Sequence, residues 1–135
     1  MGIKSQSIVA VDDDERTLNR IRIILDPTHV VLATAVPKQA LSWLENDATI
    51  SAVVIAQNLR GCRALELLEA AQKLRPNARR ILIAVYSDLA LFVNSFHSGA
   101  IQRTISTPID ANELLGLVRV RAIKGNPFGG APIAA

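Results

Sequence analysis

One residue of the 135 is cysteine, Cys62, so no disulfide can form within the chain. Aromatic residues make up 4% of it, and the longest basic tract is the pair Arg79-Arg80. Both features argue against the basic, aromatic-bearing footprint of a nucleic-acid binder. No apolar run approaches the ~20 residues that a membrane-spanning helix needs, because Arg, Lys, Asp or Asn interrupts every one. A Gly-rich phosphate loop of either common spacing is missing. His29, His97 and Cys62 fall on different expected elements without ligand spacing, which offers neither a metal site nor a catalytic dyad. The most specific absence is local: residues 48–64 contain no Asp or Glu. Together these gaps point to a non-enzymatic protein of a reducing cytoplasm with no membrane span.

Half of the residues are apolar, enough at this length for one domain with a core on both faces of a sheet. The formal charge of +3 is uneven. Residues 1–50 carry five basic and seven acidic side chains, and residues 51–135 carry ten basic and five acidic. Short runs rich in Val, Ile and Ala at 8–11, 30–35, 52–55, 81–85 and 101–105 predict five strands. Apolar residues at helical spacing lie between them: Leu18, Ile21, Ile24 and Leu25; Ala40, Leu41 and Leu44; Leu65, Leu68, Ala71 and Leu74; Leu89, Phe92, Val93 and Phe96; Leu114, Leu117 and Val118. Alternation of apolar strands with helices predicts an α/β fold, doubly wound, with a parallel five-stranded sheet in the order 2-1-3-4-5.

The punctuation supports these elements. Asp14 caps the first helix, Pro37 sits in the first turn of the second, Pro76-Asn77 stops the third and Gly99 ends the fourth. Asp110 and Glu113 have capping-box spacing. In the 2-1-3-4-5 order the crevice opens beyond the carboxyl ends of strands one and three, which makes Asp12-Asp13-Asp14-Glu15 and Ala56-Gln57-Asn58 neighbours. Residues 1–123 form the domain. Residues 124–135, with three of the seven glycines and two of the six prolines, read as a flexible tail or the start of a linker.

In that order and spacing, Ile8-Val9-Ala10-Val11-Asp12-Asp13-Asp14-Glu15, Leu65-Glu66-Leu67-Leu68, Arg80-Ile81-Leu82-Ile83, Tyr86-Ser87-Asp88-Leu89 and Thr107-Pro108 make the chain resemble a CheY-like receiver domain of bacterial two-component response regulators. The resemblance covers roughly residues 6–123. It implies that Asp12 and Asp13 match the paired carboxylates that help to hold magnesium. It also implies that the phosphoacceptor position falls on Ala56, the switch hydroxyl on Ala84 and the lysine on Thr107. A methyl is no nucleophile, and Gln57, one register away, is neither a good acyl-phosphate former nor a charged ligand. The chain therefore resembles a degenerate, or pseudo-receiver, variant.

Two readings of the acids follow. Asp12 and Asp13 could bind Mg²⁺ weakly, since that ion often uses one or two carboxylates and keeps its waters. Alternatively the acids cap the first helix and complement its dipole, worth about 0.3–1 kcal/mol each. Otherwise no cofactor is expected. Arg60 and Arg63, in the loop after strand three, are candidates to plug the acidic pocket with a guanidinium, against the plain alternative of solvated surface arginines. The stretch from Leu89 to Ser98 has one feature of a contact surface: no charged side chain. Leu91 lies off its apolar stripe. By the resemblance, helix four, strand five and helix five form the face for a protein partner or a second copy, with Leu91, Asn94, Arg103 and Arg119 on it. The expectation is a phosphorylation-independent signalling module that acts by protein contact. The alternatives are a working phosphoacceptor of a phosphorelay and a basic adaptor for nucleic acid.

Overall fold

A computed structural model describes residues 6–59 and 63–119. Five strands and five α-helices alternate: β1 Ser7–Val11, α1 Glu15–Leu25, β2 Val30–Thr34, α2 Pro37–Asn46, β3 Ile50–Ala56, α3 Ala64–Leu74, β4 Arg79–Ile83, α4 Val93–Ser98, β5 Arg103–Ile105 and α5 Ala111–Arg119. A 3-10 segment, Tyr86–Phe92, leads into α4. All pairings are parallel and the order is β2-β1-β3-β4-β5, as the alternation of elements predicts.

Side chains of successive strand residues point to opposite faces, so each apolar strand feeds two cores. Ile8, Ala10, Val54, Ile81 and Ile105 pack with Leu18 and Ile21 of α1 and Leu114 and Val118 of α5. Val9, Val11, Val53, Ile55 and Leu82 pack with Ala40 and Leu44 of α2 and Leu67, Leu68 and Ala71 of α3. The helix boundaries follow the caps. Asp14 accepts the Arg16 N–H at 2.9 Å, Pro37 occupies the first turn of α2, and Asp110 accepts the Glu113 N–H at 2.8 Å. Gly99 closes α4 in the left-handed region at φ 85°.

Four elements depart from the sequence expectations, the simplest being β5, which starts at Arg103 and not at 101. The fourth helical segment is only partly α-helical. Leu89, Phe92 and Ser95, spaced by three, turn inward, as a 3-10 approach with eclipsed i and i+3 side chains requires. Val93 and Phe96, expected on the buried stripe, are instead 49% and 37% exposed. The buried face of α3 is Ala64, Leu67, Leu68 and Ala71, rotated from the expected stripe so that Leu65 and Leu74 are only partly covered. β4 begins two residues early, at Arg79, because two charged residues hide a strand from a reading based on apolar runs. The expected boundary at 123 and the tail at 124–135 lie outside the described residues, as do Arg60 and Cys62.

Candidate functional site

The sheet directs the carboxyl ends of β1 and β3 into one crevice, and the chemistry there is set by what each strand delivers. β1 delivers Asp12, Asp13 and Asp14. Asp12 is 8% exposed, and its Oδ1 accepts the Asp14 N–H at 2.9 Å. Burial pushes its carboxyl above the ordinary aspartate range, and the charges of Asp14 and Asp13 add to the rise. The Asp14 amide works in the opposite direction. Asp14 itself is held below that range by the Arg16 N–H and guanidinium, consistent with its work as a helix cap. Asp13 is half-buried and lines a cavity of about 580 Å³ together with Gln57, Asn58, Arg63, Leu91 and Phe92.

β3 delivers a methyl. Ala56 is 5% exposed and pairs with Ile83 of β4. Ala84, the residue after β4, is also 5% exposed and donates its N–H to the Ile105 carbonyl at 3.0 Å. The two methyls sit in the cores on opposite faces of the sheet. Gln57 carries the polar group nearest the β3 end, and its amide is engaged at both ends. Oε1 accepts the Val85 N–H at 2.9 Å, and Nε2 donates to Oδ2 of Asp88 at 2.7 Å. Its own backbone N–H donates to the Ile83 carbonyl at 2.8 Å.

The remaining residues singled out from sequence are dispersed. Arg63 shares the Asp13 cavity, and so does Leu91, which is 75% exposed. Thr107 lines a second cavity of about 420 Å³ with Asp14, Arg16, Thr17 and Arg20. Asn94 is exposed on α4. Arg103 is half-buried in β5 near Arg79, and Arg119 is exposed at the end of α5, where its charge adds to burial in opposing protonation of His29. Neither arginine lines the Leu91 cavity.

For a magnesium ion the crevice offers carboxylates from β1 alone, Asp12 and Asp13: Ala56 has no oxygen on its side chain, and the Gln57 amide is committed to Val85 and Asp88. Among the described residues no group of three His, Cys, Asp or Glu side chains is placed to hold a metal. Sequence reasoning missed the Gln57 clasp and the two buried arginines, Arg79 and Arg80. The only signals were a glutamine just after a strand and a charged pair just before one.

The fold is the CheY-like, flavodoxin-type (βα)5 arrangement found in response-regulator receiver domains. Among similar solved structures is the signal receiver domain of an HD domain-containing protein from Pseudomonas fluorescens. It is 29% identical, with a TM-score of 0.76 over 86% of this chain and 93% of that one. Among curated proteins, the chain is 28% identical over 109 residues to the photosynthetic apparatus regulatory protein RegA of Cereibacter sphaeroides. It is 25% identical over 119 residues to the hydrogenase transcriptional regulatory protein HoxA of Cupriavidus necator. Those matches cover 81% and 88% of this chain but 59% and 24% of the relatives. No family model matches the chain. Among the described residues no helix is long and apolar enough to cross a membrane.

Proposed function

We propose that the chain is a receiver-like module of bacterial signal transduction that works by protein contact, without phosphorylation. The observation that carries this reading is the end of β3, where a buried methyl at Ala56 is followed by a glutamine whose amide is already hydrogen-bonded at both ends. Phosphoryl transfer to a carboxylate needs a nucleophile at that spot, and the side chain of Ala56 offers none. The receiver domains among its structural neighbours and the regulatory proteins among its curated relatives support a role in two-component signalling. Arg63, on the wall of the Asp13 cavity, supports a basic side chain as the source of positive charge there in place of a metal. The segment 85–96 supports contact with another protein or a second copy, because Val85, Tyr86, Leu91, Val93 and Phe96 are all exposed along it.

The deciding experiment exposes the protein to acetyl phosphate, and separately to beryllofluoride with magnesium, and follows its mass and its amide spectrum. Both are expected to stay unchanged. A covalent adduct, or shifts centred on the crevice, would replace this reading with that of a working phosphoacceptor. Salt-sensitive retardation of DNA would favour the nucleic-acid adaptor instead.

A further inference from the structure

We propose that Gln57 and Asp88 form a side-chain latch that holds the exposed apolar segment 85–96 in one conformation, which makes Gln57 a positioning residue for that surface. The segment starts without local support. Val85 is the residue before the 3-10 turn and provides no side-chain cap, and none of the residues in Tyr86–Phe92 is fully buried. Besides the packing of Leu89 and Phe92 on the core, one side chain just after β3 ties its first turn to the sheet. The Gln57 carboxamide accepts the Val85 N–H and donates to the Asp88 carboxylate, three residues apart on the turn, at 2.9 and 2.7 Å. Asp88 N–H closes the same turn on the Val85 carbonyl at 2.9 Å. The Asp88 bond involves a charged acceptor, and such bonds are about twice as strong as neutral ones. The carboxamide at 57 accepts from a backbone N–H at its oxygen and donates to a carboxylate from its nitrogen in the same pose.

The latch crosses from the crevice to the apolar surface. Gln57 shares its cavity with Leu91 and Phe92, so the group that fixes the turn also faces the side chains that the turn presents. Holding Val85, Tyr86 and Leu91 in one arrangement removes an ordering cost that a partner would otherwise have to supply on binding. That functional consequence rests on the contact role proposed above, whereas the latch itself stands on its hydrogen bonds alone.

Hydrogen exchange at the Val85 and Asp88 amides and the amide shifts of residues 86–96 test the latch directly. Gln57→Glu loses the donor and sets a carboxylate against Asp88, so Val85 exchange is expected to rise by about tenfold or more. Adding Asp88→Asn exchanges donor and acceptor and is expected to bring both amides back to within about threefold of the wild type, a double-mutant rescue that a simple packing role would not give. Gln57→Ala, which removes both side-chain bonds at once, provides the same readout if Gln57→Glu folds poorly. Unchanged Val85 exchange in Gln57→Glu and Gln57→Ala, or failure of the pair to rescue, overturns the latch. A latch confirmed in a protein that takes up beryllofluoride would leave this inference standing and remove the phosphorylation-independent reading.

Discussion

Asp12 and Asp14 are joined by a hydrogen bond from the Asp14 N–H to the Asp12 carboxylate at 2.9 Å, in a crevice where Asp12 is almost fully covered. The bond favours the ionised carboxylate, but burial and the charges of Asp13 and Asp14 oppose that form. An asparagine in the same rotamer can accept from that amide as well.

Asp12→Asn is therefore expected to match or exceed the wild type in stability at pH 7. It keeps the acceptor and removes a buried charge that faces Asp13 and Asp14. The pH dependence gives the sign independently. The folded-state pKa of Asp12 is raised, so its charge penalises the native state above that pKa. The penalty fades as pH falls through the folded value, and it is gone below the ordinary aspartate value of about 3.9. The gap between variant and wild type should thus narrow on acidification, measured by urea midpoints from pH 7 to pH 3. A variant clearly less stable at pH 7, in buffer without divalent cations, would show that the charge itself is stabilising.

Two glycines predict opposite signs for one substitution. Gly99 has φ 85°, and a Cβ there would lie 3.1 Å from the Gln72 Nε2 that donates to the Ser98 carbonyl. Gly99→Ala is expected to cost about 1–2 kcal/mol, from the left-handed backbone alone. Gly116 lies inside α5 with nothing within 4 Å of a built Cβ. Gly116→Ala should stabilise by about 0.5–1 kcal/mol through helix propensity. Thermal melts of the two variants separate the cases, and equal shifts would contradict the placement of both.

The Arg80 guanidinium is 5% exposed and is held by carbonyls: Nε donates to Gly99 at 3.0 Å, and Nη1 donates to Pro76 at 3.2 Å and Ala78 at 3.0 Å. One side chain thereby fastens the α3–β4 connection to the end of α4. Lysine has a single nitrogen without the planar fork, so it cannot repeat all three bonds. Arg80→Lys is expected to cost about 1–3 kcal/mol, the range for leaving a buried carbonyl unsatisfied. An unchanged urea midpoint would mean that these carbonyls find other partners.

What could be read from the sequence divides along physical lines. Strands with continuous apolar runs, and helices started by Asp14, Pro37 and Asp110, announce themselves because burial and capping are local in sequence. β4 was shifted because Arg79 and Arg80 are charged yet buried, and only tertiary carbonyls make the burial of Arg80 tolerable. The α4 region was misread because spacings of three and four share Leu89 and Phe92 and diverge only at Val93 and Ser95. In the crevice, the lack of acid on β3 was legible residue by residue. The Gln57 clasp was not, since it joins positions 31 apart through an amide that sequence alone leaves free to point anywhere.

Leu91 offers the sharpest test of the surface. It is 75% exposed on the wall of the cavity that holds Asp13, within a segment whose exposed side chains also include Val85, Tyr86 and Val93. A carboxylate at 91 would place a charge in the centre of any apolar contact and beside Asp13, where it has to be desolvated on association. If the segment mediates self-association, Leu91→Glu should weaken it by about tenfold or more, read by sedimentation over a concentration series. The folded stability should stay within about 0.5 kcal/mol, as for surface changes generally. Identical monomers for wild type and variant would exclude the second copy as the occupant. The same substitution would then be carried into a binding assay with a candidate partner protein, and unaltered affinity there would remove this segment from the contact surface.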